Sequence, residues 1–185
     1  DAGRIGETAG TGSAGASGAA GALNALVNFG AEGPGSAAFS LAVQSSPVNT
    51  GLESRGSDVF IVSDGTTLRG YVNLGGNSGY QAGTDREVFT LTVVSNGSYS
   101  FSLKDQIDHP SLNGTTGDNA ENLLSGSIDL SKYIVATDGD GDSVKLGSGT
   151  FVVQIRDDIP TTASNALVTV DEDDLAAGNH DAAAG

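Results

Sequence analysis

Cysteine, methionine and tryptophan are absent from the 185-residue sequence, and basic side chains are scarce. Each absence removes a class of function. Without cysteine there are no disulfides and no thiolate metal sites, which suits an oxidising exterior without requiring one. Lys and Arg number 8 against 23 Asp and Glu, a formal charge of -15. Nucleic acid is therefore not expected as a partner, because phosphate binding needs clustered cationic side chains. An anionic membrane surface is disfavoured for the same reason, and a cation or a cationic partner is favoured. No apolar run approaches the ~20 residues of a membrane span, so no membrane insertion is expected. No charged-then-apolar leader opens the sequence; export would rely on a signal elsewhere in a longer chain.

Aromatics make up 5% and apolar residues 37%, so a hydrophobic core can involve only part of the chain. With 28 glycines, the composition points to an all-β, loop-rich protein. Residues 1–22 are rich in Gly, Ala, Ser and Thr, have no periodic apolar face, and read as a low-complexity linker or inter-repeat segment. Leu26, Val27 and Phe29 suggest a first strand before the turn "GAEGPG". In "AAFSLAVQ", Phe39, Leu41 and Val43 alternate with small or polar residues, as in a half-buried strand. Two hairpins follow. Asp64-Gly65 separates Val59 to Val62 from Leu68, Tyr71, Val72 and Leu74, and Asn96-Gly97 separates Phe89, Leu91 and Val93 from Tyr99, Phe101 and Leu103. From Lys104 to Ser131 the alternation lapses into a long connecting loop, with a short helical turn expected near Glu121 to Leu124. Tyr133 to Val135 lead into an acidic loop, "GTFVVQIRDDIP" forms a last strand ended by Pro160, and Leu167 to Val170 make one further strand candidate. Short strands at regular spacing predict a β-sandwich of antiparallel strands.

The acidic loop "ATDGDGDSV" places Asp138, Asp140 and Asp142 at alternate positions. Three carboxylates this close need either full solvation or a cation. An EF-hand is excluded: Ser143 stands where its turn glycine belongs, Gly149 stands where its bidentate Glu belongs, and the flanks are strands. The chemistry of alternate Asp residues survives that failure, since calcium needs only several oxygen ligands on a chain able to wrap them. No His or Cys cluster lies nearby to favour a softer metal. A solvated acidic turn is the rival reading, as for most Asp-Gly pairs.

No catalytic site assembles. His109 and His180 have no fixed partners, no G-x-S-x-G elbow occurs, and an acid pair drawn from Asp108, Asp118 and Glu121 would lack the tryptophan platforms usual in sugar clefts. An enzyme is not expected.

The segments "FGAEGPG", "GLESRGSDV", "EVFTLTVVSNGSYSFSL", "IDHP", "AENLL", "ATDGDGDSV", "GTFVVQIRDDIPTT" and "VDEDDL" follow one another in the order found in tandem repeats of giant repeats-in-toxin (RTX) adhesins, which type I secretion exports. The chain resembles that family from about Phe29 to Leu175. The resemblance implies an immunoglobulin-like β-sandwich over residues 23–160, with 161–185 serving as linker and the start of the next repeat. It implies neighbouring repeats of the same polypeptide as partners, and a secreted, extracellular location on a bacterial cell surface. The function implied is a calcium-stabilised, non-catalytic extender, or spacer, in cell adhesion and biofilm formation. It makes Asp138, Asp140 and Asp142 loop ligands for Ca2+ and Asp157 and Asp158 junction ligands, with Glu121 a lesser candidate. The isolated repeat is expected to be monomeric. The alternative within the same adhesin is a ligand-binding module that recognises a glycan or surface polymer through the 104–131 loop. The glycine-rich nonapeptide of the wider family is missing, because "GGNSGYQAG" loses its register, so no β-roll is expected.

Overall fold

The computed structural model describes residues 15–108 and 127–155. The described strands are β1 (Gly15–Gly18), β2 (Pro34–Leu41), β3 (Gln44–Ser54), β4 (Ser57–Ser63), β5 (Thr67–Val72), β6 (Arg86–Val93), β7 (Tyr99–Leu103), β8 (Ile128–Asp129), β9 (Ile134–Asp138), β10 (Ser143–Lys145) and β11 (Val152–Val153). A six-stranded sheet has the order β1-β7-β6-β5-β4-β3. Opposite it lie a three-stranded sheet, β10-β9-β2, and the two-stranded β11-β8. Every described pairing is antiparallel.

The protein is an all-β antiparallel sandwich, and its core follows from period-two alternation. Val59 and Ile61 of β4, Leu68 of β5, Phe89 and Leu91 of β6 and Phe101 of β7 point inward from the large sheet. Phe39 and Leu41 of β2, Ile134 and Ala136 of β9, and Ile128 and Leu130 around β8 meet them from the other side. Phe89 and Phe101 stack at 5.6 Å between ring centroids.

Both hairpins form where turn chemistry places them. Asp64 Oδ1 accepts the N–H groups of Thr66 (2.8 Å) and Thr67 (2.7 Å), and Asn96 Oδ1 accepts that of Ser98 (3.0 Å).

Three elements differ from the sequence reading. The expected first strand around Leu26 is instead a 3₁₀ turn, Ala22–Leu26. A short apolar run is compatible with either state; here Leu23 enters the core fully buried, and its N–H bonds to the Gly97 carbonyl at 3.1 Å. Within the segment read as linker, Gly15–Gly18 pairs with β7. It gains its order from that partner, and Gly18 lies where a Cβ would come within 2.3 Å of the Tyr99 ring. Strand β3 has no alternating signature; it is an edge strand, with Pro47 and two register irregularities, held by β4. The strand expected over "GTFVVQIRDDIP" is described only as Val152–Val153. The candidate strand at Leu167 to Val170 and the helical turn near Glu121 lie outside the described residues.

Candidate metal centre

Strands β9 and β10 form a hairpin with Thr137 opposite Ser143, so the acidic loop is its turn. The Asp138 N–H donates to the Asp142 carbonyl at 3.0 Å. In return, Asp138 Oδ1 accepts the N–H groups of Gly141 (3.1 Å) and Asp142 (2.8 Å). Gly141, at φ 102, supplies the left-handed residue that this curl requires. Asp138 therefore shapes the loop through Oδ1.

A second segment approaches from the start of the chain. Pro34 pairs with Asp138 across β2 and β9, and the register then slips before Phe39. Two glycines permit the close approach. A Cβ on Gly35 would lie 2.4 Å from the Asp138 carbonyl oxygen, and one on Gly139 would lie 2.9 Å from the Glu32 carbonyl oxygen. Backbone contact on both sides carries the Glu32 side chain to the acidic loop. One carboxylate oxygen each from Glu32, Asp138 and Asp140 then lies within 4.8 Å of the other two.

This donor set suits one hard cation. Calcium takes oxygens at about 2.3–2.6 Å, so two oxygens on a single ion stand at most about 5 Å apart. All three donors are carboxylates, and Glu32 and Asp140 are exposed, so water and nearby carbonyls can complete a shell of six to eight. The hydrogen bond with the Asp140 carboxyl is the largest influence on Asp138, and it lowers that group below the ordinary carboxylate range against a desolvation effect. Backbone N–H donors of Asp142, Gly141 and Asp140 add to the lowering.

Of the residues expected from sequence, Asp138 and Asp140 come together. Asp142 contributes its backbone to the curl and lines an adjoining cavity of about 160 Å3 with Val27, Phe29, Ala136 and Val144. Asp157, Asp158 and Glu121 lie outside the described residues, as do His109, His180 and Asp118. Asp108 serves the backbone, accepting the N–H groups of Arg55 (2.8 Å) and Gly56 (2.5 Å). Glu32 was not singled out from sequence. Its one signal was position, as the only acid in "GAEGPG", a turn rich in glycine next to a strand.

Residues 4–147 match the family model described as a domain of unknown function, DUF5801. The chain belongs to the DUF5801 family. No curated protein and no solved structure matches it. The match takes in the whole acidic turn and the Glu32 segment, so both halves of the candidate centre fall inside the DUF5801 region. A second acidic residue of that region, Asp129, shows what a purely structural carboxylate looks like. Its oxygens are taken up by Ser131 N–H and Oγ, Ser148 Oγ and Gly149 N–H. Among the described residues no such set of donors converges on Glu32 or on Asp140, whose Oδ1 accepts the Asp142 N–H at 3.4 Å.

Proposed function

We propose that this DUF5801 domain is a non-catalytic, calcium-stabilised extender of a secreted bacterial surface adhesin, one of a tandem series that spaces the adhesive part from the cell. The observation that carries the proposal is the convergence of Glu32 with Asp138 and Asp140, from segments far apart in sequence, on a volume that one cation would fill. In that role calcium bridges the turn before β2 to the β9–β10 hairpin, replacing carboxylate repulsion with a cross-link. A chain of charge -15 repels itself when no cation is bound, which favours extension during export. Calcium that binds only the folded form then stabilises it by mass action.

An exposed centre of three carboxylates belongs with extracellular calcium modules, whose dissociation constants are about 10⁻⁴–10⁻³ M. At millimolar calcium the stabilisation is about 0.4–1.4 kcal/mol, a rise in melting temperature of a few degrees. Differential scanning calorimetry in calcium, in magnesium and in chelator tests this. The expected result is a calcium-specific rise that Glu32→Gln and Asp140→Asn each reduce. Equal melting temperatures in calcium and chelator would reject the reading.

A further inference from the structure

The cavity of about 160 Å3 beside the acidic turn has a lining of two chemistries. Val27, Phe29, Ala136 and Val144 make part of it apolar, and Asp138 and Asp142 make part of it acidic. All of the lining comes from residues 27–29 and 136–144, each inside a continuously described stretch of chain. The fold fixes the apolar part. Phe29 packs edge to face on the buried Phe39, with 5.7 Å between ring centroids. Val144 stands opposite the buried Ala136 across the β9–β10 hairpin, so the two side chains share a face, yet Val144 is 60% exposed. The acidic part is unmatched as well: among the described residues no Lys or Arg forms an ion pair with Asp138 or Asp142.

We infer that this cavity binds a primary ammonium on an aliphatic stem, the lysine side chain of a partner polypeptide. Charge, shape and size each support it. The net charge of -15 draws cations toward the molecule, and the two carboxylates place a local demand for one at the cavity itself. A lysine side chain lays its four methylenes along apolar surface and ends in a compact head with three rotatable donors, which can reach carboxylates that belong to different residues. Arginine suits the site less well, because its rigid planar fork is matched to a single carboxylate held by two parallel hydrogen bonds. At about 160 Å3 the cavity is smaller than the pockets of about 300–1,000 Å3 that enclose whole small molecules, and one side chain is the better fit. The inference does not rest on the calcium reading. Both cations are drawn to Asp138, so calcium is kept out of the test.

Methyl NMR of the full chain in chelator, titrated with Nα-acetyl-lysine N-methylamide, tests it. The expected result is saturable shifts of the Val27 and Val144 methyls, with a dissociation constant on the order of 1–10 mM. Asp142→Asn and Val144→Ser should each weaken that binding several-fold. The hydrogen bonds of Asp142 within the turn run through its backbone, so its side chain can be changed without removing them. Methyl signals of Ile61 and Leu91 in the core report that each variant is folded. The norleucine counterpart of the probe has the stem without the charge, ammonium chloride has the charge without the stem, and neither should produce the shifts. Absence of saturable shifts at Val27 and Val144 with the lysine probe overturns the inference. So do equal shifts with ammonium chloride, which would mean diffuse attraction of cations, equal shifts with the norleucine compound, or binding that Asp142→Asn leaves unchanged. Tighter binding of n-butylamine than of the lysine probe assigns the cavity to a free amine and overturns the polypeptide source.

Discussion

Glu32, Asp138 and Asp140 share a centre although each has a different local role. Asp138 is curled into its own turn, Asp140 projects from the tip, and Glu32 arrives on another segment. Asp129 illustrates the contrasting fate of a carboxylate. Desolvation, the largest single influence, pushes its pKa up. The hydrogen bonds from Ser131 Oγ, Ser148 Oγ and the N–H groups of Ser131 and Gly149 together outweigh it and bring the value from 3.8 to about 2. A folded-state pKa below the unfolded one means stability that is complete above the unfolded value and lost as pH falls toward the folded one. Asp129 should therefore stabilise the domain at neutral pH and cease to do so between pH 4 and 2. The side chain is exposed, so solvent screening reduces its contribution to about 1 kcal/mol. Urea unfolding followed by circular dichroism from pH 7 to 2 should show Asp129→Asn less stable at pH 7, with the difference closing below pH 4. Asp64, also brought to about 2, chiefly by the Thr67 N–H and then Arg69, falls away over the same interval in both proteins and leaves the comparison unaffected.

At the scale of elements, close backbone approach and buried charge decide what the hairpins alone do not. Gly139→Ala would force its new Cβ against the Glu32 carbonyl, within the 2.9 Å that the present spacing allows. The expected outcome is calcium affinity reduced several-fold by isothermal titration, with a melting temperature in chelator within a few degrees of the parent, because the turn is at the periphery. Arg86 offers the opposite case. Its guanidinium donates to Ser54 Oγ at 2.8 Å and to the Ser54 carbonyl at 2.9 Å, and pairs with Asp105, tying the end of β3 to β6 and to the segment after β7. Ser54 is fully buried, and the Asp105 side chain is 9% exposed. Arg86→Ala leaves that carboxylate without its main partner and should cost about 2–3 kcal/mol in denaturant unfolding, independent of calcium. Arg55, which also meets Asp105 at 2.7 Å but is 56% exposed, should cost much less when replaced.

Over the whole molecule, charge dominates. With 23 acidic against 8 basic side chains, the compact state carries a repulsion that salt screens. In chelator, raising sodium chloride should raise the melting temperature. The increment due to calcium should shrink along the same salt series, because screening weakens the attraction that it depends on. A melting temperature in chelator that falls with salt would mean that the salt bridges outweigh the net repulsion. The sheet edges bear on association. β1 spans four residues, and β3 is interrupted by Pro47 and irregular register, features that discourage edge-to-edge pairing between molecules.

The all-β class, both hairpins and the acidic turn were legible in the sequence because each depends on local rules. Alternation at period two sets a strand's buried face, Asp-Gly and Asn-Gly set tight turns, and alternate Asp residues declare a charged loop wherever they fall. Strands β1 and β3 were not legible, since their order comes from partners supplied by β7 and β4 rather than from apolar residues of their own. The apolar run at Leu26 was readable as either strand or helical turn until Leu23 found the core. By itself the sequence determined the cation-favouring charge, the exclusion of thiolate chemistry and two of the three converging carboxylates. Only the tertiary structure decided that Glu32 joins Asp138 and Asp140. A contact between distant segments depends on strand register and on room for two backbones to meet, and Gly35 and Gly139 supply that room only once the sheet has brought them face to face.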